Sequence, residues 1–171
     1  MNFAPQAPRW QVQLGGLSKR ALLEELAVQQ VQLNPMAREL FESTAFPEGT
    51  AGSVLNLVAV TVADLGFAAG ATLPELLAQA ERLGLRPCPV ETAPFFRLQY
   101  LDQSEDPTGQ TQIKGQAPPG ALTVISQPLD SSPDFPKGFY LRKAEGCLWL
   151  RGYRSDDLHR WNASDCLVFA E

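Results

Sequence analysis

The stretch that most limits how this chain folds is its most apolar run, VLNLVAVTVA, at residues 54–63. It ends at Asp64, and a helix that spans a bilayer needs about 20 apolar residues. The Val and Leu content favours a β-strand covered on both faces, although periodicity alone leaves a buried helix as the alternative. The sequence therefore predicts a strand here, and no membrane-spanning segment.

The composition of the 171 residues is typical of a folded protein, with 44% hydrophobic and 19% charged residues. The net charge of -5 disfavours nucleic acid and anionic membranes as main partners. The opening residues MNFAPQAPRW lack the basic and apolar regions of a secretory signal. An odd number of widely spaced cysteines, at 88, 147 and 166, is typical of reduced thiols. These features predict a soluble cytoplasmic protein.

Capping signals predict three helices. Ser18 precedes the first, over 19–30, and Asn34 with Pro35 begins the second, over 35–45. Thr72 and Glu75 form a capping box that begins the third, over 72–84. Alternating or apolar segments predict strands at 10–14, 54–63, 95–101, 121–126 and 166–170. Residues 102–120, with Ile113 as their one large aliphatic side chain, are expected to form a mobile loop.

Together these elements predict an α+β fold. The amino-terminal half is expected to be helical with one strand-helix-strand unit at 54–100, and the carboxyl-terminal half to be mostly antiparallel β. We expect a single globular domain over 1–171, with residues 1–86 as a mainly helical lobe and 87–171 as a mainly β lobe if it divides.

The segment KGFYLRKAEGCLWLRGYRSDDLHRW, at 137–161, reads as a hairpin whose register follows from a two-residue turn at Glu145-Gly146. That turn pairs Arg142 with Trp149 and Tyr140 with Arg151. Phe139, Leu141, Leu148 and Leu150 then share the core face, since side chains alternate along strands. The predicted binding residues, on the other face and just beyond it, are Tyr140, Arg142, Trp149, Arg151, Tyr153 and Arg154.

This segment is also where basic charge concentrates. Six basic against three acidic residues give 137–161 a net charge of +3, which leaves -8 for the rest of the chain. Arginine beside tyrosine and tryptophan is suited to binding a carboxylate, a phosphate or a stacked ring. The alternative is structural, because cross-strand arginine-aromatic pairs stabilise any hairpin through cation-π contact.

The other motifs are weaker evidence for a binding or catalytic site. The turn with Gly66 and Gly70 before the Thr72 helix resembles a phosphate-binding loop in outline only, since Glu75 would occupy the anion position. Asp64 is expected to accept local backbone hydrogen bonds. His159, the one histidine, leaves a Cys3His zinc set or a pairing with Cys147 or Cys166 as nucleophile, neither with supporting spacing. We therefore predict no cofactor and no metal, and name no catalytic residue.

Two functional hypotheses remain. The first is a non-catalytic protein that binds a protein partner or an anionic ligand on the hairpin face. The second is a small enzyme in which Arg142 or Arg151 clamps an anionic substrate while Asp64, His159 or a cysteine acts as acid, base or nucleophile. A cleft that joins His159 or Asp64 to the arginines favours the enzyme, and an open flat face favours binding.

Overall fold

The structure is a computed structural model that describes residues 6–105 and 117–171. The expected mobile loop falls partly outside them, since residues 106–116 are not described. The elements in chain order are β1 (Arg9–Leu14), α1 (Lys19–Val28), β2 (Gln32–Leu33), α2 (Pro35–Glu42), β3 (Ser53–Thr61), β4 (Ala71–Thr72), α3 (Leu73–Arg82), α4 (Thr92–Gln99), β5 (Leu122–Val124), β6 (Gly138–Ala144), β7 (Cys147–Tyr153), β8 (Arg160–Trp161) and β9 (Cys166–Ala170).

Seven of the strands form one mixed sheet in the order β1-β3-β9-β5-β6-β7-β2. The β5–β9 and β2–β7 pairs are parallel, and the other four pairs are antiparallel. Strands β4 and β8 form a separate two-stranded sheet. The large sheet therefore combines strands from both halves of the chain, because β3 lies beside β9 and β2 lies beside β7.

The predicted fold class is wrong. The described residues are mostly sheet with four short helices, and within them no helical half is followed by an antiparallel half. The amino-terminal half supplies β1, β2 and β3 to the large sheet, and parallel pairs break the expected antiparallel order. The reason is that sequence patterns indicate which segments form strands, whereas the pairing of strands more than 100 residues apart decides where each strand lies in the sheet.

The predicted strand at FFRLQYL is also wrong, because most of this segment belongs to α4. Its side chains from Thr92 to Arg97 are all buried. Because most of α4 is buried, it lacks the polar face by which helical periodicity is recognised in a sequence. The short apolar-polar alternation in FFRLQYL therefore led to the prediction of a strand. The expected strand-helix-strand unit is in fact β3 followed by α3 and α4.

The other helices lie where capping predicted them, with carboxyl ends two or three residues earlier. The Ser18 and Asn34 side chains accept hydrogen bonds from the Ala21 and Ala37 amides at 3.1 and 2.8 Å. None of the helices among the described residues has the length and apolar character needed to cross a bilayer.

The strand predicted within residues 54–63 is confirmed as β3, and its second half is covered on both faces, whereas Val54 in the first half is 57% exposed. One face of the sheet packs against α1, α2 and α4, and the opposite face packs against α3. Leu57 and Ala59 of β3 belong to the first core, whereas Val58 and Val60 belong to the second. The second core covers mainly the β3–β9 end, which leaves the β6–β7 hairpin at its margin.

Side-chain amides continue the backbone ladder at both outer regions of the sheet. The Asn34 Oδ1 accepts from the Gly152 amide at 2.8 Å while its Nδ2 donates to the Gly152 carbonyl at 3.0 Å. On the edge strand β1, the Gln99 side chain accepts from the Gln13 amide at 2.9 Å and donates to its carbonyl at 2.8 Å. Each amide takes the position that another strand would occupy.

A third amide anchors the segment after α4, a contact that sequence patterns do not predict. Gln103 is buried, accepts from Arg97 Nη1 at 2.6 Å, and donates to the Gly120 and Leu141 carbonyls at 3.2 Å each. Within the described parts of 102–120, a polar side chain therefore replaces the missing aliphatic anchors.

Candidate functional site

The candidate site begins with the hairpin, whose predicted register is confirmed. Arg142 pairs with Trp149 and Tyr140 with Arg151. The turn residues Glu145 and Gly146 both have positive φ, at 53° and 74°, as a tight two-residue hairpin turn requires. The register therefore places the predicted aromatic and guanidinium groups of β6 and β7 on one face.

That face is not an open surface. Tyr140 is only 6% exposed, and the side chains of Arg142, Trp149, Arg151 and Tyr153 are half-buried. A row of laterally paired residues crosses the sheet here and changes from apolar to polar along its length: Val60, Leu167, Thr123, Tyr140 and Arg151. The first two belong to the second core, whereas the last three line a cavity of about 390 Å³.

The cavity wall brings together four of the six predicted residues. Tyr140, Arg151, Tyr153 and Arg154 line it, whereas Arg142 and Trp149 are not among its described lining residues. His159 lines it as well. None of the described residues of the wall is an aspartate or a glutamate. The wall is therefore basic and donor-rich in a protein whose net charge is negative.

Arg151 is the arginine of this wall for which the described residues provide no hydrogen-bonding or carboxylate partner. Its guanidinium lies 4.9 Å from the Trp149 ring centroid. Its Nε is buried, and no described residue accepts a hydrogen bond from it. Buried donors without acceptors cost about 1–3 kcal/mol and are rare in native proteins. This N–H is thus available to an acceptor that is not part of the described chain.

Arg154 is different, although it also lines the cavity. Its Nη2 forms a salt bridge with the Glu39 carboxylate at 3.1 Å, and its Nε donates to the Asp134 carbonyl oxygen. These contacts connect the end of β7 to α2 and use two of the five N–H donors of the guanidinium. Its charge is balanced by Glu39, so Arg151 supplies the uncompensated charge of the wall.

A cluster of aromatic rings around Trp161 forms another part of the cavity wall. Trp161 is 4% exposed, and its indole Nε1 is a second buried donor without an acceptor among the described residues. The Tyr153 and His159 rings lie 5.7 and 5.6 Å from it at interplanar angles of 88° and 79°. Burial raises the pKa of the Tyr153 phenol, which keeps that hydroxyl protonated at neutral pH.

The β4–β8 pair holds Trp161 in place. Trp161 pairs with Ala71, and the Arg160 guanidinium donates to the Gly70 carbonyl at 2.8 Å. Gly70 has a φ of 82°, and a Cβ there would lie 2.4 Å from the Trp161 carbonyl oxygen. Sequence reasoning missed Trp161 and Thr123 as wall residues, because their positions depend on pairing between distant strands.

The weaker motifs are structural in the described chain. Asp64 accepts from the Thr61 amide at 2.8 Å, as expected of a local turn. The Glu75 carboxylate accepts from the Thr72 amide and hydroxyl at 2.8 Å, and these bonds lower its pKa. A carboxylate therefore occupies the helix terminus, which disfavours phosphate there.

The cysteines do not form a reactive set with His159. Cys147 is exposed at the hairpin turn, at the opposite end of β7 from Tyr153. Burial, and after it the charges of Asp64 and Asp165, raise the pKa of Cys166 to about 11, so this thiol stays protonated at neutral pH. The described residues contain no group of three or more side chains arranged to hold a metal ion.

Buried Cys88 makes a prediction about alkaline stability. Burial raises the pKa of its thiol from 9.0 to about 12. Between these values the unfolded chain releases a proton that the folded chain keeps, so stability should fall by up to about 1.4 kcal/mol per pH unit from this thiol. Urea unfolding under reductant at rising pH should show a shallower decline in Cys88→Ala than in the wild type.

Cys147→Ala is the matched control for that experiment, since it removes an exposed thiol. It should leave the alkaline decline of the wild type unchanged. An identical slope in Cys88→Ala and the wild type would contradict the assignment.

The chain matches no protein-family model, and comparison with curated proteins and with solved structures found no similar protein.

Proposed function

We propose that this protein binds a small anionic ligand in the cavity beside the β6–β7 hairpin. The observation that carries the proposal is the half-buried Arg151, whose Nε has no acceptor among the described residues and whose charge no wall carboxylate balances. A cavity of about 390 Å³ falls within the range of about 300–1,000 Å³ that small-molecule sites occupy. The cleft, rather than a flat face, favours a small ligand over a protein partner.

Charge and hydrogen bonding support an anion over a neutral ligand. Arg151 and the Trp161 indole are donors, as is the protonated Tyr153 phenol. A carboxylate or phosphate offers several acceptors and satisfies such donors together. A cation would meet two arginines and no carboxylate in the described wall.

The test is a titration of isotope-labelled protein with sodium phosphate and sodium acetate at constant ionic strength. The indole N–H signal of Trp161 should shift saturably. Arg151→Gln should weaken binding about 10–100-fold, because a hydrogen bond to a charged group contributes about 1.5–3 kcal/mol.

Arg142→Gln is the matched control, because Arg142 lies on the same hairpin face, is half-buried with an unpartnered Nε, and is not a described wall residue. It should bind like the wild type. Equal losses in the two variants would refute the proposed site, as would the absence of any saturable shift.

His159 lines the same cavity as Arg151 and Arg154, which is the arrangement expected of an enzyme that acts on an anionic substrate. Such an enzyme is the second candidate, behind binding, because a paired nucleophile is not found among the described wall residues. The imidazole is the natural acid or base in such an arrangement. No hydroxyl or thiol is hydrogen-bonded to His159 in the described wall: the Ser155 hydroxyl donates to the Asp156 carbonyl at 3.3 Å, and no cysteine lines the cavity. Turnover of an aryl phosphate or ester that His159→Gln abolishes, with anion affinity retained, would favour this candidate.

A cytosolic location is part of the proposal and rests on cysteine usage. The three thiols are free in the structure, with two of them at least partly buried and one exposed. Free thiols persist in a reducing compartment.

A further inference from the structure

We propose that the ligand is a planar aromatic group that carries one anionic substituent, an aryl carboxylate or an aryl phosphate. This inference rests on the proposed anion site and adds the chemistry of the ligand body. The cavity holds about thirteen water volumes, from about 390 Å³ at about 30 Å³ per water. An inorganic oxyanion at Arg151 replaces only a few of them and leaves the remainder of the space unfilled.

The remainder of the wall is suited to a flat ring. The Tyr153 and His159 rings stand almost perpendicular to the Trp161 indole, at 88° and 79°. A planar ligand entering such a corner stacks on one ring and meets another edge-on, and both arrangements are favourable. Met36, Ala117 and Pro118 add apolar wall and no charge.

The polar groups fix one end of that ligand. The row across the sheet is apolar at Val60 and Leu167 and becomes polar through Thr123 and Tyr140 to Arg151. The anionic substituent therefore lies at the Arg151 end, beside β7. The ring lies toward Tyr153 and His159, which line the cavity beside Trp161.

Four probes separate the contributions of the aromatic ring and of the anionic substituent to binding. They are 1-naphthyl phosphate, 1-naphthoate, neutral 1-naphthol and inorganic phosphate. Titrations followed by ligand-observed NMR at about pH 8 should rank at least one aromatic anion about tenfold or more above both inorganic phosphate and naphthol. The tighter of the two aromatic anions identifies the substituent as carboxylate or phosphate. Arg151→Gln should remove this preference over naphthol.

A ring variant tests the aromatic wall separately. His159→Ser should weaken the preferred aromatic anion about threefold or more and leave inorganic phosphate unchanged. Leu158→Ser is the matched control, because Leu158 is the adjacent residue, is 85% exposed and is not a described wall residue. It should bind every probe like the wild type.

The failures are distinguishable. Inorganic phosphate binding as tightly as both aromatic anions, with loss in Arg151→Gln, would overturn this inference and leave the anion site standing. Naphthol binding as tightly as the aromatic anions, or no binding of any probe, would overturn both proposals.

Discussion

Gly152→Ala should lower the free energy of unfolding by about 3 kcal/mol, one of the two largest stability effects expected from single substitutions. A Cβ at this position would lie 2.6 Å from the Met36 carbonyl carbon and 2.7 Å from the Ala37 nitrogen. Both are backbone atoms at the first turn of α2, so no side-chain rotation relieves the contact. Either β7 or α2 must move, and the Asn34 hydrogen bonds to Gly152 break with it.

The measurement is the melting temperature, which should fall by about 6–12 °C for a chain of this size. Gly52→Ala is the matched control, because Gly52 also lacks a positive φ and its added Cβ would lie 3.9 Å from the Leu14 carbonyl oxygen. That contact is ordinary, and the variant should be neutral or slightly stabilised. Similar melting temperatures for the two variants would show that β7 and α2 are not in close contact.

Arg97→Ala should cost about 3 kcal/mol, since it opens a cavity and removes the partners of several buried acceptors. Arg97 is 0% exposed and has no carboxylate partner among the described residues. Its guanidinium donates to the Gln103 side chain and the Tyr100 carbonyl, with a longer contact of 3.4 Å to the Trp149 carbonyl. Burial lowers its pKa to about 10, so it is still charged at neutral pH.

Two further variants separate packing from hydrogen bonding in urea unfolding. Arg97→Met fills much of the volume and removes the buried charge, so it should cost less than Arg97→Ala, as apolar replacements of buried ionic groups often do. Arg82→Ala, at an exposed position in α3, should change stability by less than about 0.5 kcal/mol. A loss below about 1 kcal/mol for Arg97→Ala would show that the Gln103 network contributes little.

The predictions that the structure confirms depend mostly on contacts between residues that are close in sequence. Capping residues such as Ser18 and Asn34 located the helices, because a cap involves neighbours within three positions. The Glu145-Gly146 turn fixed the hairpin register for the same reason. These features depend on contacts that are short in sequence.

The pairing of strands that are distant in sequence could not be predicted from the sequence. Nothing in the segment around residue 122 shows that β5 lies parallel to β9 and antiparallel to β6, and this placement brings Thr123 into the cavity wall. The burial of α4 on all sides made a helix look like a strand. Four of the six proposed binding residues still share the cavity, because they belong to one hairpin and its exit.

The Gln99 side chain bears on how this protein behaves at high concentration. An edge strand such as β1 presents backbone N–H and C=O groups with which a strand of a second chain can pair. Such pairing is the first step of edge-to-edge aggregation. At Gln13 both groups are already bonded to one amide of α4. An incoming strand must break two hydrogen bonds there before it forms its own, so the helix restricts growth of the sheet from this edge.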